Sequence, residues 1–320
     1  MTEAVSAAIG TGGRGAGRVR GRTGAWMRGQ GFWLALMSPV LLFLIVTQFW
    51  PLVDTSRISV FDYQPTRSPD STFVGVQNYV DLFVNDRRFW IITRNSFLWM
   101  LGSTAVQVVV GTAGALVLNM NLRLRGLWRG LMMVPWVTPV VVVAIIWRWM
   151  FDGGENGLVN YYLGQAGLLS DPLVWLSSDV WVWPVVLLAS TWKGTPFVIL
   201  LVLAGLQSLP GELIESARVD GAGAFKRFRY VVLPHLRPTL AVTTLIALVT
   251  VWFKFELIWA LTTGGPAFAT TILPIYVFTQ AFRDFNFGMA GAVATIAMLT
   301  LLTVVGVLGL LTRLRKEGSS

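Results

Sequence analysis

Residues 208–238 read SLPGELIESARVDGAGAFKRFRYVVLPHLRP, and Glu212, Glu215, Arg218, Asp220, Lys226, Arg227, Arg229 and Arg237 all fall inside that stretch. Long apolar runs flank it on both sides, so the charge is confined to one place. Pro210 stands where a first helical turn can begin, because the N–H it lacks is not needed there. Gly221 stands where such a helix stops. A second helical pattern from Ala224 to Val232 then meets Pro234, which is expected to end it. The stretch is therefore expected to form an elbow, two short helices joined by a tight turn at Asp220–Gly221. A loop between two membrane spans would carry it.

Composition sets the solvent. Of 320 residues, 54% are hydrophobic and only 13% are charged, against about a quarter charged in soluble domains. Mean hydropathy is +0.64. The chain is read as an all-α, polytopic membrane protein. Cysteine is absent, which excludes disulfides and thiolate chemistry. His235 is the single histidine and cannot by itself make a metal site. None of Lys193, Lys226, Lys254 and Lys316 follows the G-x-x-x-x-G-K-[ST] pattern that cradles phosphates. The chain is not expected to be an enzyme or to hydrolyse nucleotide, so a partner or an ion gradient must supply its energy.

Six apolar runs reach spanning length: 31–53, 92–119, 131–151, 180–206, 239–262 and 287–312. Positive charge orients them. Arg14, Arg18, Arg20, Arg22 and Arg28 precede the first run, and Arg123, Arg125 and Arg129 follow the second. Arg218, Lys226, Arg227, Arg229 and Arg237 lie in the elbow, and Arg313, Arg315 and Lys316 follow the last run. These make sixteen of the 25 Lys and Arg. The opposite loops instead collect Asp54, Asp62, Asp70, Asp81, Asp86, Asp152, Glu155, Asp171, Asp179 and Asp284. Both termini and the elbow are expected to be cytoplasmic.

Residues 1–30 read as a disordered basic tail, 31–312 as the transmembrane domain and 313–320 as a second tail. The first tail has no aromatic platform for stacking bases, so nucleic acid is not an expected partner. It is also too long, and lacks the small-residue cleavage site, for a removable signal peptide. The outer loop 54–90 is expected to hold one short helix over Val76–Phe83 and is too small for a catalytic domain. Pro135 and Pro139, with Pro184 and Pro196, are expected to bend the third and fourth spans.

Charges inside spans are costly and face protein or water. Arg148 lies near a span end, between Trp147 and Trp149, and is expected to reach the interface. Lys193, Lys254 and Glu256 lie deeper. Lys254 and Glu256, two apart on one expected helix, point to different faces. Lys193 paired with Glu256 across helices is one reading; a polar lining for a solute path is the other. An ion-gradient transporter built on Lys254 and Glu256 would give no reason for the elbow. A membrane enzyme would need a catalytic constellation that this chain lacks.

The elbow resembles a specific family. Glu215-Ser216-Ala217, three residues, Gly221, nine residues and Val231-Val232-Leu233-Pro234 are similar to the "EAA" loop of permeases in binding-protein-dependent ABC importers. Ser216 and Val231 stand where that pattern has Ala and Ile. Asp220-Gly221-Ala222 and Phe228 resemble the sugar-importing branch, and Phe73–Tyr79, Trp192-Lys193-Gly194, Ala204–Pro210 and Leu261–Pro266 resemble landmarks of the family. The likeness runs from Phe32 onward and points to the MalF/UgpA-like group. It implies a type I ABC importer permease fold in the bacterial inner (plasma) membrane. It also implies a second, different permease subunit, two copies of an ABC ATPase that bind the ATP, and an extracytoplasmic solute-binding protein. The elbow would dock on the ATPase, with Glu215 making a charged contact and Gly221 supplying the turn. The maltose permease of the family implies a solute path at Ser190, Lys193, Gly194 and Phe197, and at Ala247, Thr250, Val251 and Lys254. The implied cargo is a sugar or polyol, or an anionic derivative such as a glycerol phosphate.

Overall fold

With no water at membrane depth, an apolar segment must satisfy its backbone internally, and helices do so. The structure, a computed structural model, describes Trp33 and residues 36–317, with side chains through Leu310. The basic tail at 1–30 and the last three residues lie outside the described residues. Five described helices are long and apolar enough to cross a membrane, or up to six if one bent pair counts as a span.

The chain divides into two units between Asp54 and Thr55. Helix α1 (Leu36–Ile58), with a π-helical stretch at Ile45–Phe49, begins in the first and runs across that boundary. In the second, β1 (Phe61–Asp62) pairs antiparallel with β2 (Thr72–Phe73). The short helix α2 (Gln77–Val80) continues as a π stretch over Asp81–Asn85, matching the helix expected at Val76–Phe83. Then come α3 (Arg87–Asn119), α4 (Arg125–Val137), α5 (Val140–Met150), α6 (Leu158–Gln165) and α7 (Val182–Gln207). The elbow helix α8 (Gly211–Val219) leads to α9 (Ala224–Arg227), a π stretch at Phe228–Val232, and α10 (Leu233–Phe253). The chain closes with α11 (Glu256–Thr262), α12 (Leu273–Phe282) and α13 (Phe287–Glu317), which runs past the expected boundary at 312.

Three boundaries differ from expectation. The third span is not one bent rod but α4 and α5, set at 92° to each other. Pro139 caps α5 at the break, whereas Pro135 stays inside α4. Pro196 likewise lies within an uninterrupted α7. Pro234 does not end the second elbow helix: 224–253 is one helical rod of 30 residues. The N–H of Leu233 bonds to the carbonyl of Phe228, five residues back. That wider turn lies where a proline ring would collide with an α ladder, so the backbone passes through. Finally, the fifth span stops at Phe253, and Lys254 takes an extended conformation before α11 begins. Lys254 and Glu256 therefore do not share a helix.

Helices in lipid associate by close packing, which small residues permit. A Cβ on Gly111 of α3 would fall 2.5 Å from Val198 Cγ1 of α7, and one on Gly205 of α7 would fall 2.8 Å from Thr239 Oγ1 of α10. The three helices thus meet nearly backbone to backbone. Around this contact lie Ala115, Leu118, Val202 and Leu236 toward the elbow. Trp99, Val186, Val251 and Ile258 fill the middle.

Candidate functional site

The elbow is built by local rules. Pro210 caps α8 at its start. At its end the Ala222 N–H donates to the Ala217 carbonyl at 2.9 Å and the Gly221 N–H to the Arg218 carbonyl at 3.0 Å. This is a Schellman closure, and it sets Gly221 at φ +74°, which glycine takes without strain. Nothing lies within 4 Å of a Cβ placed there, so backbone conformation alone demands the glycine. Arg227 Nη1 donates to the Ala222 carbonyl at 2.7 Å and clamps the turn. Ser208 Oγ lies 3.1 Å from His235 Nε2, tying the end of α7 to the start of α10. Glu215, Ser216 and Asp220 are exposed on this rigid element, and Ala217, Ala222, Phe228, Leu233 and Pro234 are half-buried beneath it.

The residues expected along a solute path separate into two groups. Ser190 and Gly194 are buried against α3: Gln107 Nε2 donates to the Ser190 carbonyl at 3.2 Å and contacts Ser190 Oγ at 3.1 Å, and a Cβ on Gly194 would strike the Gln107 amide. Ala247 and Val251 are buried as well, and the Val251 carbonyl accepts from Trp99 Nε1 at 2.9 Å. These four hold the helices together. Lys193 and Phe197, one turn apart and beside Ser190 and Gly194 on the same side of α7, are half-buried, while Thr250, Lys254 and Glu256 are exposed. Lys193 and Glu256 both lie within Coulombic reach of Lys254.

Lys193 does not pair with Glu256 among the described residues. Its Nζ donates instead to the carbonyls of Pro135 at 3.3 Å, Trp136 at 3.0 Å and Thr138 at 2.6 Å. The α4–α5 break explains this choice. Pro139 has no N–H to offer the Pro135 carbonyl, and the departing chain strips the neighbouring carbonyls of helical donors. An ammonium with three donors at a helix C-terminus meets that need.

Sequence reading passed over the polar inner face of α3. Asn95 Nδ2 donates to the carbonyls of Phe268, Ala269 and Thr271, and Ser96 Oγ accepts from the Leu273 N–H. Together they pin the turn-rich segment 263–272, where Thr263, Ala267 and Phe268 all have positive φ. Asn95, Trp99, Ser103, Gln107 and Gly111 recur every four residues in an otherwise apolar run. That period was the available signal. At the start of α3, Asp86 accepts hydrogen bonds from Tyr276 Oη and from Arg88. Burial alone would raise the Asp86 carboxyl, but these hydrogen bonds outweigh it and hold it below the usual carboxylate range.

Comparison with known proteins follows the same outline. Residues 107–314 match the model of the family described as "Binding-protein-dependent transport system inner membrane component". The trehalose/maltose transport system permease protein MalF of Thermococcus litoralis is 34% identical over 82% of this chain and 86% of its own length. The sulfoquinovosyl glycerol transport system permease protein SmoG of Agrobacterium fabrum is 32% identical over 81% of this chain and 83% of its own. The fold is similar to a chain of a bacterial ABC transporter involved in the import of the acidic polysaccharide alginate. That match has a TM-score of 0.74 at 22% identity, over 91% of this chain and 98% of the other.

Proposed function

The chain belongs to the family of binding-protein-dependent transport system inner membrane components, and on that premise we propose that it is one transmembrane subunit of an ATP-driven importer for a sugar or sugar-like solute. Its neighbours would be a second permease subunit, two copies of a cytoplasmic ATPase and an extracytoplasmic solute-binding protein. Two of the relatives named above are permeases for trehalose/maltose and for sulfoquinovosyl glycerol, which supports a carbohydrate cargo.

The observation that carries the reading is the elbow. A helix closed at both ends, exposing Glu215 and Asp220, is joined directly to α7 on one side and to the rod 224–253 on the other. Such an element moves as a body and takes its attached spans with it. The arginine-rich ends of the spans orient it to the cytoplasm, where the ATPases would close on it. Their closure would rock α7 against α10 and open the pathway outward to receive solute. The chain itself supplies transport geometry and the partners supply nucleotide hydrolysis. The exposed Thr250, Lys254 and Glu256, with half-buried Lys193 and Phe197, face the solute path. Ser190, Gly194 and Val251 form its packed backing.

Glu215→Arg and Gly221→Val test this. In the complex purified with its partners, either variant should abolish stimulation of ATP hydrolysis by the loaded binding protein, while the binding protein still takes up its solute. Normal uptake in both variants would sink the coupling role of the elbow.

A further inference from the structure

Between α3, α4 and α7, at the same end of the bundle as the elbow, lies a cavity of about 260 Å³. Its walls are mostly apolar: Leu118 comes from α3, Met132 and Met133 from α4, and Ile199, Leu200, Leu203 and Ala204 from α7, while Gln207 at the end of α7 adds one uncharged polar group. One cation enters it. Arg129 of α4 lines the cavity, and its Nε and Nη2 are both buried without a hydrogen-bond partner. The residue as a whole is half-buried, but each charged nitrogen shielded from water and left unpaired carries a desolvation cost that a neutral one does not. The side chain cannot shed its charge to escape that cost, because arginine stays protonated. The site therefore calls for an anion presented with an apolar body.

We propose that this cavity binds an anionic phospholipid, the phosphate against Arg129 and the glycerol and first acyl carbons along the Met132–Leu203 wall. Three observations favour a lipid over a soluble anion. The lining is dominated by leucine, isoleucine and methionine, which a hydrated ion would not cover. Leu200 on the cavity wall and Leu131, next in sequence to Met132, are both exposed, so the apolar lining is continuous with the outer surface. Arg123 and Arg125 lie within six residues of Arg129, the clustering of basic groups that recruits acidic headgroups at the end of a span. A fork-shaped guanidinium matches a phosphate through two parallel bonds. The proposal stands apart from the transport reading, since lipid retention is measured without transport.

The test is native mass spectrometry of the full-length chain, co-purified with its partner subunits in neutral detergent and titrated with dioleoyl phosphatidylglycerol or dioleoyl phosphatidylcholine. Phosphatidylglycerol should be retained selectively, and Arg129→Gln should weaken it at least about tenfold, the size of one charge-assisted hydrogen bond. Arg129→Lys should restore part of the binding, as a single-point donor. Ala204→Phe keeps the charge and fills the lipid wall, so it should also release phosphatidylglycerol; it separates occupancy of the cavity from damage to the arginine. Equal retention of both lipids would overturn the proposal, as would unchanged retention in both Arg129→Gln and Ala204→Phe. Displacement of phosphatidylglycerol by millimolar glycerol phosphate would assign the site to a soluble anion. Loss of the partner permease from Arg129→Gln, with lipid retention intact, would assign the guanidinium to a carboxylate of that subunit. Either result also overturns the lipid.

Discussion

Lys193 Nζ lies 2.6 Å from the carbonyl oxygen of Thr138, across two helices that share no charge pair there. The contact stands at the point where α4 gives way to α5, so one ammonium on α7 fixes the angle between two half-spans. Lys193→Met removes the charge and keeps the length. It should lower the melting midpoint of the purified complex by about 5 °C or more, since three carbonyls lose a charged donor. Lys193→Arg should recover most of that loss. An unaltered midpoint in the methionine variant would show that the break holds its angle without the lysine.

Lys254 should behave differently. It is exposed beside Glu256, at a break where the backbone has already left its helix. Lys254→Gln should leave the melting midpoint within about 2 °C of wild type, as exposed substitutions do. Reconstituted vesicles with the cognate binding protein should nonetheless take up solute at least about fivefold more slowly, the loss of roughly 1 kcal/mol of interaction. Wild-type uptake would remove Lys254 from the solute path.

Gly111 of α3 offers a packing test far from any charge. Valine there would place its Cβ 2.5 Å from Val198 Cγ1 and 2.6 Å from Val198 Cβ. The helices must separate, and the cost of overpacking is typically about 1–3 kcal/mol. The paired change Gly111→Val with Val198→Gly should restore assembly, measured as the yield of intact complex on size exclusion. Failure of the single variant to reduce that yield would contradict the close approach.

The carboxyl of Asp86 gives a pH signature. Its folded pKa is depressed by the hydrogen bonds from Tyr276 and Arg88, so it stabilises the fold above the unfolded value. That contribution disappears as the pH falls through the lower, folded value. Tyr276→Phe removes one of the donors. Thermal unfolding followed from pH 6 down to about pH 3 should therefore fall less steeply in the phenylalanine variant. Parallel curves would mean that Tyr276 does not hold the carboxylate in its charged state.

How much of this was legible depends on which interactions decide each element. The elbow helix α8 could be read because its signals are local: Pro210 at its start and Gly221 at its end leave the backbone little choice. The break at Lys254 could not, since neither proline nor glycine marks it. A side chain from another helix, Trp99, adds a second hydrogen bond to the Val251 carbonyl, beside the one from the Lys254 N–H at the helix end, and only the folded chain brings it there. Pro234 shows the reverse error. The rule that proline ends a helix is local and sound, but a π turn just before it removes the collision on which the rule depends. The fate of Lys193 was hidden for the same reason as the Lys254 break: its three acceptors lie more than 50 residues away in sequence. Ser190, Lys193, Gly194 and Phe197 share one side of α7 by their i, i+3, i+4, i+7 spacing, so their division into buried and half-buried pairs was not readable: it depends on how α3 and α4 pack against that side.

The unbroken passage from elbow to span has a mechanical meaning. At about 1.5 Å per residue, the 30-residue rod 224–253 is about 45 Å long. A rotation of about 5° at its base carries its far end through about 4 Å. That far end is Phe253, next to the unwound Lys254 and the start of α11. If the elbow couples as proposed, the bulge at Phe228–Val232 would let a proline-bearing segment serve as a lever arm, with its short stroke at the charged loop and its long stroke among the polar groups at mid-chain.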